Sequence, residues 1–148
     1  MKLDDALKNI SLLAFDTAPV IYFVEANPNY DALVTEIFQR VDDAEIVGIT
    51  SVISLCEVLV HPIRRQNNKL KQRYYDILQN SPNFFTEKID SSIAETAAEL
   101  RAKYNLRTPD ALQIATALEN NCDAFLCNDK NLQRVKELPI LVLDDLEL

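Results

Sequence analysis

The sequence has one glycine, Gly48, and one histidine, His61, in 148 residues. One glycine rules out a Walker loop and a GxGxxG dinucleotide turn, which need several positions without a side chain where backbone meets phosphate. One histidine rules out HExxH and multi-histidine zinc sites. A Ser-His-Asp triad would have to run through His61, which stands in "VLVHPIRR" with no nucleophile elbow beside it. Its place before Pro62 reads instead as a helix-end residue near the negative end of the helix dipole. The three cysteines, Cys56, Cys122 and Cys127, form no CxxC pair, so neither a disulfide framework nor a zinc knuckle is expected. No apolar run reaches the ~18 residues of a membrane span. The opening "MKLDDALKNI" carries two acids and no continuous apolar core, unlike a signal peptide. No membrane association and a cytoplasmic location are the expectation.

What is present is ordinary for a globular domain, with 48% apolar and 26% charged residues. The length fits one domain, 1–148, with residues 1–10 as an N-terminal extension. A formal charge of −8 argues against a general polyanion-binding surface. It leaves room for a nucleic-acid enzyme, because a site crowded with metal-binding carboxylates lowers the charge by itself.

Along the chain, short β-branched or apolar runs alternate with amphipathic segments. "SLLAFD", "EIVGITSV", "FFTEKID", "DAFLCN" and "ILVLDDL" read as strands. "TAPVIYFVEA", "ALVTEIFQRVDDA", "SLCEVLVHPIRR", "NKLKQRYYDILQN", "SSIAETAAELRAKYN" and "TPDALQIATALENN" read as helices. Asparagines in "ENN" and "QNN" take turn and helix-ending positions that glycine usually holds. Strand–helix alternation implies crossover units, hence an α/β domain with a parallel sheet and helices on both faces.

In such sheets ligands bind outside the carboxyl ends of the strands. Four acids fall at those boundaries: Asp16 after the first strand, Glu57 in the first turn of a helix, Asp110 in the helix start "TPD", and Asp129 after "AFLCN". Each also has a local reading. Asp16 and Asp129 can cap helices, Ser54 to Glu57 matches a capping box, and Thr108 can cap the helix that Pro109 opens. Brought together, four carboxylates would repel by several kcal/mol unless neutralised. A hard divalent cation with oxygen ligands does that, and can lower the pKa of an attacking water.

The contexts of these acids resemble the PIN-domain family, particularly its small VapC-like toxin ribonucleases. "LLAFDTAPVIYF", "TSVISLCEVLVHPIRR", "LRTPDALQIATAL" and "CDAFLCNDKNL" are similar to its four motifs, in the same order over residues 11–132. The resemblance implies a three-layer α/β/α fold with a central parallel sheet. It implies Mg²⁺ or Mn²⁺ at Asp16, Glu57, Asp110 and Asp129, with Asp16 and Asp110 in the most direct contact. It further implies hydrolysis of single-stranded RNA to a 5′-phosphate and a 3′-hydroxyl, a homodimer, and an antitoxin partner. Where many relatives carry Thr or Ser two residues before the last acid, this chain has Cys127, a weaker donor. Asn131 is a candidate to orient a site carboxylate.

Arg64 and Arg65 begin a basic run through Lys69, Lys71 and Arg73, suited either to an RNA backbone or to a solvated helix face. Arg107 and Lys130, next to site acids, are the stronger phosphate candidates. Tyr22, Phe23, Tyr74 and Tyr75 favour packing over base stacking, and Cys56 reads as a small buried hydrophobe. Two rival functions are an inactive or regulatory PIN module that binds RNA or protein, and a phospho-acceptor domain. For the latter, Asp4 and Asp5 precede the first strand rather than end it.

Overall fold

A computed structural model describes all 148 residues. Its centre is a sheet of β1 (Leu12–Phe15), β2 (Val47–Ser51), β3 (Phe84–Glu87), β4 (Ala124–Cys127) and β5 (Ile140–Val142). The strand order is β3-β2-β1-β4-β5 and every pairing is parallel. Strands this short suffice because both faces are covered, and their near-continuous apolar sequences match that burial.

Alternation along the strands sends side chains to two separate cores. Leu13, Phe15, Ala124 and Leu126 point into one, with α1 (Leu3–Leu7), α2 (Thr17–Val24), α3 (Asp31–Asp42), α4 (Val52–Arg64) and α5 (Asn68–Asn80). Ala14, Phe125, Cys127 and Val142 point into the other, beneath α6 (Ser91–Tyr104) and α7 (Thr108–Glu119). The result is the expected three-layer α/β/α arrangement. The chain steps from β1 to β2 and β3 on one side, then returns past β1 to place β4 and β5 on the other. The order therefore reverses between β1 and β4, the switch point where the loops diverge and leave a crevice.

Several local readings change. Ser51, not Ser54, caps α4, accepting from the Ile53 N–H. Glu57 consequently sits in the second turn, and Ser54 is fully buried inside the helix. Arg107 precedes α7 without a side-chain capping bond, so Thr108 is already helical. Pro62, which sequence alone expects to end or kink this helix, lies inside α4, and the helix runs on to Arg64. Cys56 is exposed, because Ser54, Val58 and Pro62 take the inward face of α4 and position 56 falls on the opposite side. Asn105 and Asn121 do hold left-handed backbone after helices, but in "QNN" that conformation belongs to Gln66, and Asn67 caps α5. His61 lies in the last turn of α4, as expected.

The extension folds as α1, its Leu3 and Leu7 buried in the first core. The Leu3 N–H donates to the Glu147 carbonyl and the Glu147 N–H to the Met1 carbonyl, tying the two ends of the chain together. The aromatic residues pack as expected. Tyr74 is buried, Phe23 stacks on Phe38, and Tyr22 stacks on Tyr30.

Candidate active site

Asp16 follows the central strand and caps α2, its Oδ1 accepting from the Thr17 N–H at 2.9 Å. Burial pushes its carboxyl up from 3.8 to about 6; the bond from Thr17 opposes this, and the charges of Asp110 and Glu57 add to it. Three of the four predicted acids are thus electrostatic neighbours. Asp129, two residues beyond β4, caps a 3₁₀ turn (Lys130–Arg134) by accepting from the Asn131 N–H at 2.9 Å. Asp110 and Asp129 line one cleft of about 330 Å³ with Asn105, Leu106, Arg107, Asn131, Leu132 and Arg134. The acids come from the β1–α2 junction, α4, α7 and the segment after β4, and gather around the switch point.

Each acid is engaged by the chain itself. Arg107 reaches Asp110 with its Nε at 3.0 Å from Oδ2 and Nη2 at 3.4 Å from Oδ1. The guanidinium is held above its usual range first by that bond, and also by the charges of Asp129 and Glu57. Thr17 donates its hydroxyl to Glu57 Oε1 at 2.6 Å. As placed, no three His, Cys, Asp or Glu side chains surround one point that could hold a metal ion. The donors are all carboxylate oxygens, however, and their mutual repulsion with a carboxyl pushed up by burial is the electrostatic setting a hard cation relieves. The chemistry of the set fits Mg²⁺ or Mn²⁺, in an open rather than a closed arrangement.

Beneath the acids lies a buried polar network that sequence reading missed. Gln113 donates to Ser54 Oγ at 2.7 Å and accepts from Ser51 Oγ at 2.5 Å. Ser54 also lies 3.1 Å from Thr17 Oγ1 and accepts from Thr50 at 2.8 Å. Ser51, Ser54, Thr17, Thr50 and Gln113 are all buried, and no buried side-chain polar atom in the protein lacks a partner. The network ties α2, α4 and α7 together, with Gln113 and Ser54 both meeting Thr17, whose hydroxyl fixes Glu57. Its trace in the sequence is Gln113 three residues after Asp110, on one helical face, and Thr17 adjoining Asp16.

The remaining predicted residues separate. Cys127 is fully buried, and its thiol donates to the Asp129 backbone carbonyl at 3.7 Å rather than to a carboxylate. Burial pushes that thiol up to about 12, which makes it inert at neutral pH. Asn131 supports Asp129 through its backbone N–H, while its side chain lines the cleft. Lys130 pairs with Asp145 at 3.3 Å. Arg64 and Arg65 are exposed at the far end of α4, about 10 Å along the helix from Glu57. Of the predicted cations, only Arg107 lines the cleft with the acids. Arg134, not anticipated, is the second.

A parallel α/β/α sheet whose switch point is lined by acidic side chains defines a class of proteins that act on ligands at the carboxyl edge. The chain belongs to the PIN domain family, whose model matches residues 13–138. Its fold is similar to that of VapBC2 from Rickettsia felis bound to a promoter DNA fragment, at 15% identity and a TM-score of 0.70, with 87% of this chain and 96% of that chain covered. A toxin–antitoxin complex from Klebsiella pneumoniae matches at 23% identity and 0.67, covering 88% and 97%. DNA-bound VapBC from Salmonella typhimurium matches at 14% and 0.65, covering 90% and 99%. Comparison with curated proteins finds no match.

Proposed function

We propose that the protein is a metal-dependent endoribonuclease of single-stranded RNA and the toxin of a toxin–antitoxin pair. The observation that carries the reading is the placing of the acids at the carboxyl edge of the sheet, where Thr17 bonds both Asp16 and Glu57, and Asp110 and Asp129 line one cleft. Membership of the PIN domain family supports the nuclease assignment. Likeness to toxin–antitoxin complexes supports the toxin assignment and an antitoxin partner.

In this reading Asp16 and Asp110 hold Mg²⁺ or Mn²⁺ most directly, and Glu57 and Asp129 complete the site through water or at a second ion. The bound ion supplies positive charge to the phosphodiester in the transition state and lowers the pKa of the attacking water. The chain's own part is positioning. Thr17 fixes the Glu57 carboxylate through its hydroxyl and Asp16 through its N–H, and the Asn131 N–H fixes Asp129. No side chain acts as a covalent nucleophile: water forms the new P–O bond and the bond from phosphorus to the 3′-oxygen breaks, leaving the 5′-phosphate and 3′-hydroxyl that the family resemblance implies. Purified protein with Mg²⁺ or Mn²⁺ is expected to cleave a pool of structured RNAs. Asp16→Asn and Asp110→Asn are expected to abolish that cleavage, and EDTA to do the same. Survival of activity in both variants would sink the quartet assignment. Growth arrest on expressing wild type but not Asp16→Asn in a bacterium tests the toxin assignment separately.

A regulatory module is the second reading, favoured by one observation: every acid already has a partner within the chain and no three enclose a point. Calorimetric titration with Mn²⁺ separates the two. The nuclease binds the ion in a manner lost in Asp16→Asn, whereas a scaffold shows no such binding.

A further inference from the structure

We infer that the cleft beside the acids contains a second, built phosphate subsite whose fixed cation is Arg134, seating the RNA phosphate next to the one that is cut. This inference rests on the nuclease reading above. The cleft is lined by two acids, Asp110 and Asp129, and by Arg107, Arg134, Asn105 and Asn131, and of its two cations Arg107 is already paired with Asp110. A single strand crossing it would place one phosphate against the acids and the adjoining phosphate against Arg134.

The two arginines are held very differently. Arg107 has an exposed side chain and is engaged only by Asp110. Arg134 is fixed by three bonds to backbone carbonyls: Nε to Tyr104 O at 3.3 Å, Nη2 to Tyr104 O at 2.9 Å, and Nη1 to Asn131 O at 2.5 Å. Tyr104 is the last residue of α6, and Asn105 after it turns the chain in the left-handed conformation. The guanidinium therefore spans the end of α6 and the turn after β4, the two walls of the cleft. A guanidinium has five N–H donors. Three are committed to carbonyls, which leaves two, and no carboxylate within the chain pairs with this cation. A rigid, unpaired cation with free donors beside a nuclease-type site is suited to a phosphate. Lys130, by contrast, is paired with Asp145.

The test uses the full chain in an Asp16→Asn background, so that RNA is bound without being cut. A fluorescein-labelled single-stranded RNA of mixed sequence is titrated by anisotropy over a salt series, with Arg134→Ala and Arg134→Gln compared to Arg134. Glutamine keeps an N–H donor for the Tyr104 carbonyl and removes the charge, so it separates phosphate binding from a structural brace. Both variants are expected to bind roughly three- to tenfold more weakly, with the slope of log affinity against log salt reduced by about 0.7, the loss of one phosphate contact on a single strand. Arg64→Ala, at the far end of α4, is expected to leave the slope unchanged. If Arg134→Gln folds and binds with an unchanged slope, the subsite is refuted while the nuclease reading stands. If the parent protein binds no RNA and the wild type cuts none, both fail. Should Arg134→Ala not fold, the glutamine variant alone decides.

Discussion

Asp16 occupies a place where its two tasks oppose each other. As cap of α2 it accepts from the Thr17 N–H, which favours the charged form, yet burial and the neighbouring Asp110 and Glu57 carboxylates hold it up to about 6. Below 3.8 the group is protonated in the folded and the unfolded chain alike. Between 3.8 and about 6 the folded protein retains a proton that the unfolded chain releases, so stability falls as pH rises through that window. Above it the full penalty of about 3 kcal/mol is in place. Asparagine caps a helix as well as aspartate does and carries no charge. In EDTA, Asp16→Asn is therefore expected to be more stable than wild type at pH 8, by up to about 3 kcal/mol in urea unfolding, with the difference vanishing as pH falls below 3.8. Mn²⁺ is expected to raise the melting temperature of wild type and to leave that of Asp16→Asn unchanged. A variant no more stable than wild type at pH 8 would show that the carboxylate is not under strain.

Among the elements, β2 and β3 depend on the one glycine of the sequence. A Cβ on Gly48 would lie 2.5 Å from Phe84 Cδ2, 2.9 Å from Phe84 Cε2 and 3.1 Å from Phe15 Cε1. Phe84 is itself buried, edge-on to Phe15, with ring centroids 5.2 Å apart. The glycine is required for close approach, not for an unusual backbone angle. Gly48→Ala is expected to cost about 1–3 kcal/mol through overpacking. Combining it with Phe84→Leu is expected to recover part of that, which a double-mutant cycle in chemical denaturation measures. Additive effects would show that the two positions do not touch. The polar network binds α4 to α7 in a complementary way: Ser51 both caps α4 and bonds Gln113, so the sheet's carboxyl edge and the acids above it move as one unit.

For the molecule as a whole, the termini close the first core. Residues 1–10 contribute Leu3 and Leu7 to it, and the first and last segments exchange backbone bonds. Arg40 adds a bond from α3 to Asp4 of α1. Removing residues 1–10 is expected to lower the unfolding free energy by about 2–4 kcal/mol, since the lost apolar burial exceeds the ordering entropy that is returned. Under the nuclease reading, Mn²⁺ binding is expected to survive, as measured by titration of the shortened chain. Loss of Mn²⁺ binding without loss of stability would instead make the extension part of the site. A net charge of −8 opposes a polyanion over most of the surface. Under the proposed function, RNA affinity would therefore depend on a few local cations.

The sequence by itself determined the fold class and singled out four acids at element boundaries. Period-2 and helical patterns do not depend on distant neighbours, so the strand–helix alternation was readable. The four acids stand in local motifs whose contexts are equally local. Tertiary structure decided the start of α4 three residues earlier than the Ser54 pattern suggests, because Ser51 answers to Gln113, 62 residues away. It turned Cys56 outward, since the inward face of a helix is set by what it packs against. It placed Lys130 against Asp145 and Arg134 in the cleft, a choice among exposed cations that no spacing rule makes. Most of all, it decided which charges meet. Asp16 and Asp110 are 94 residues apart in sequence, and only the reversal of strand order between β1 and β4 brings the segments that carry them to one edge.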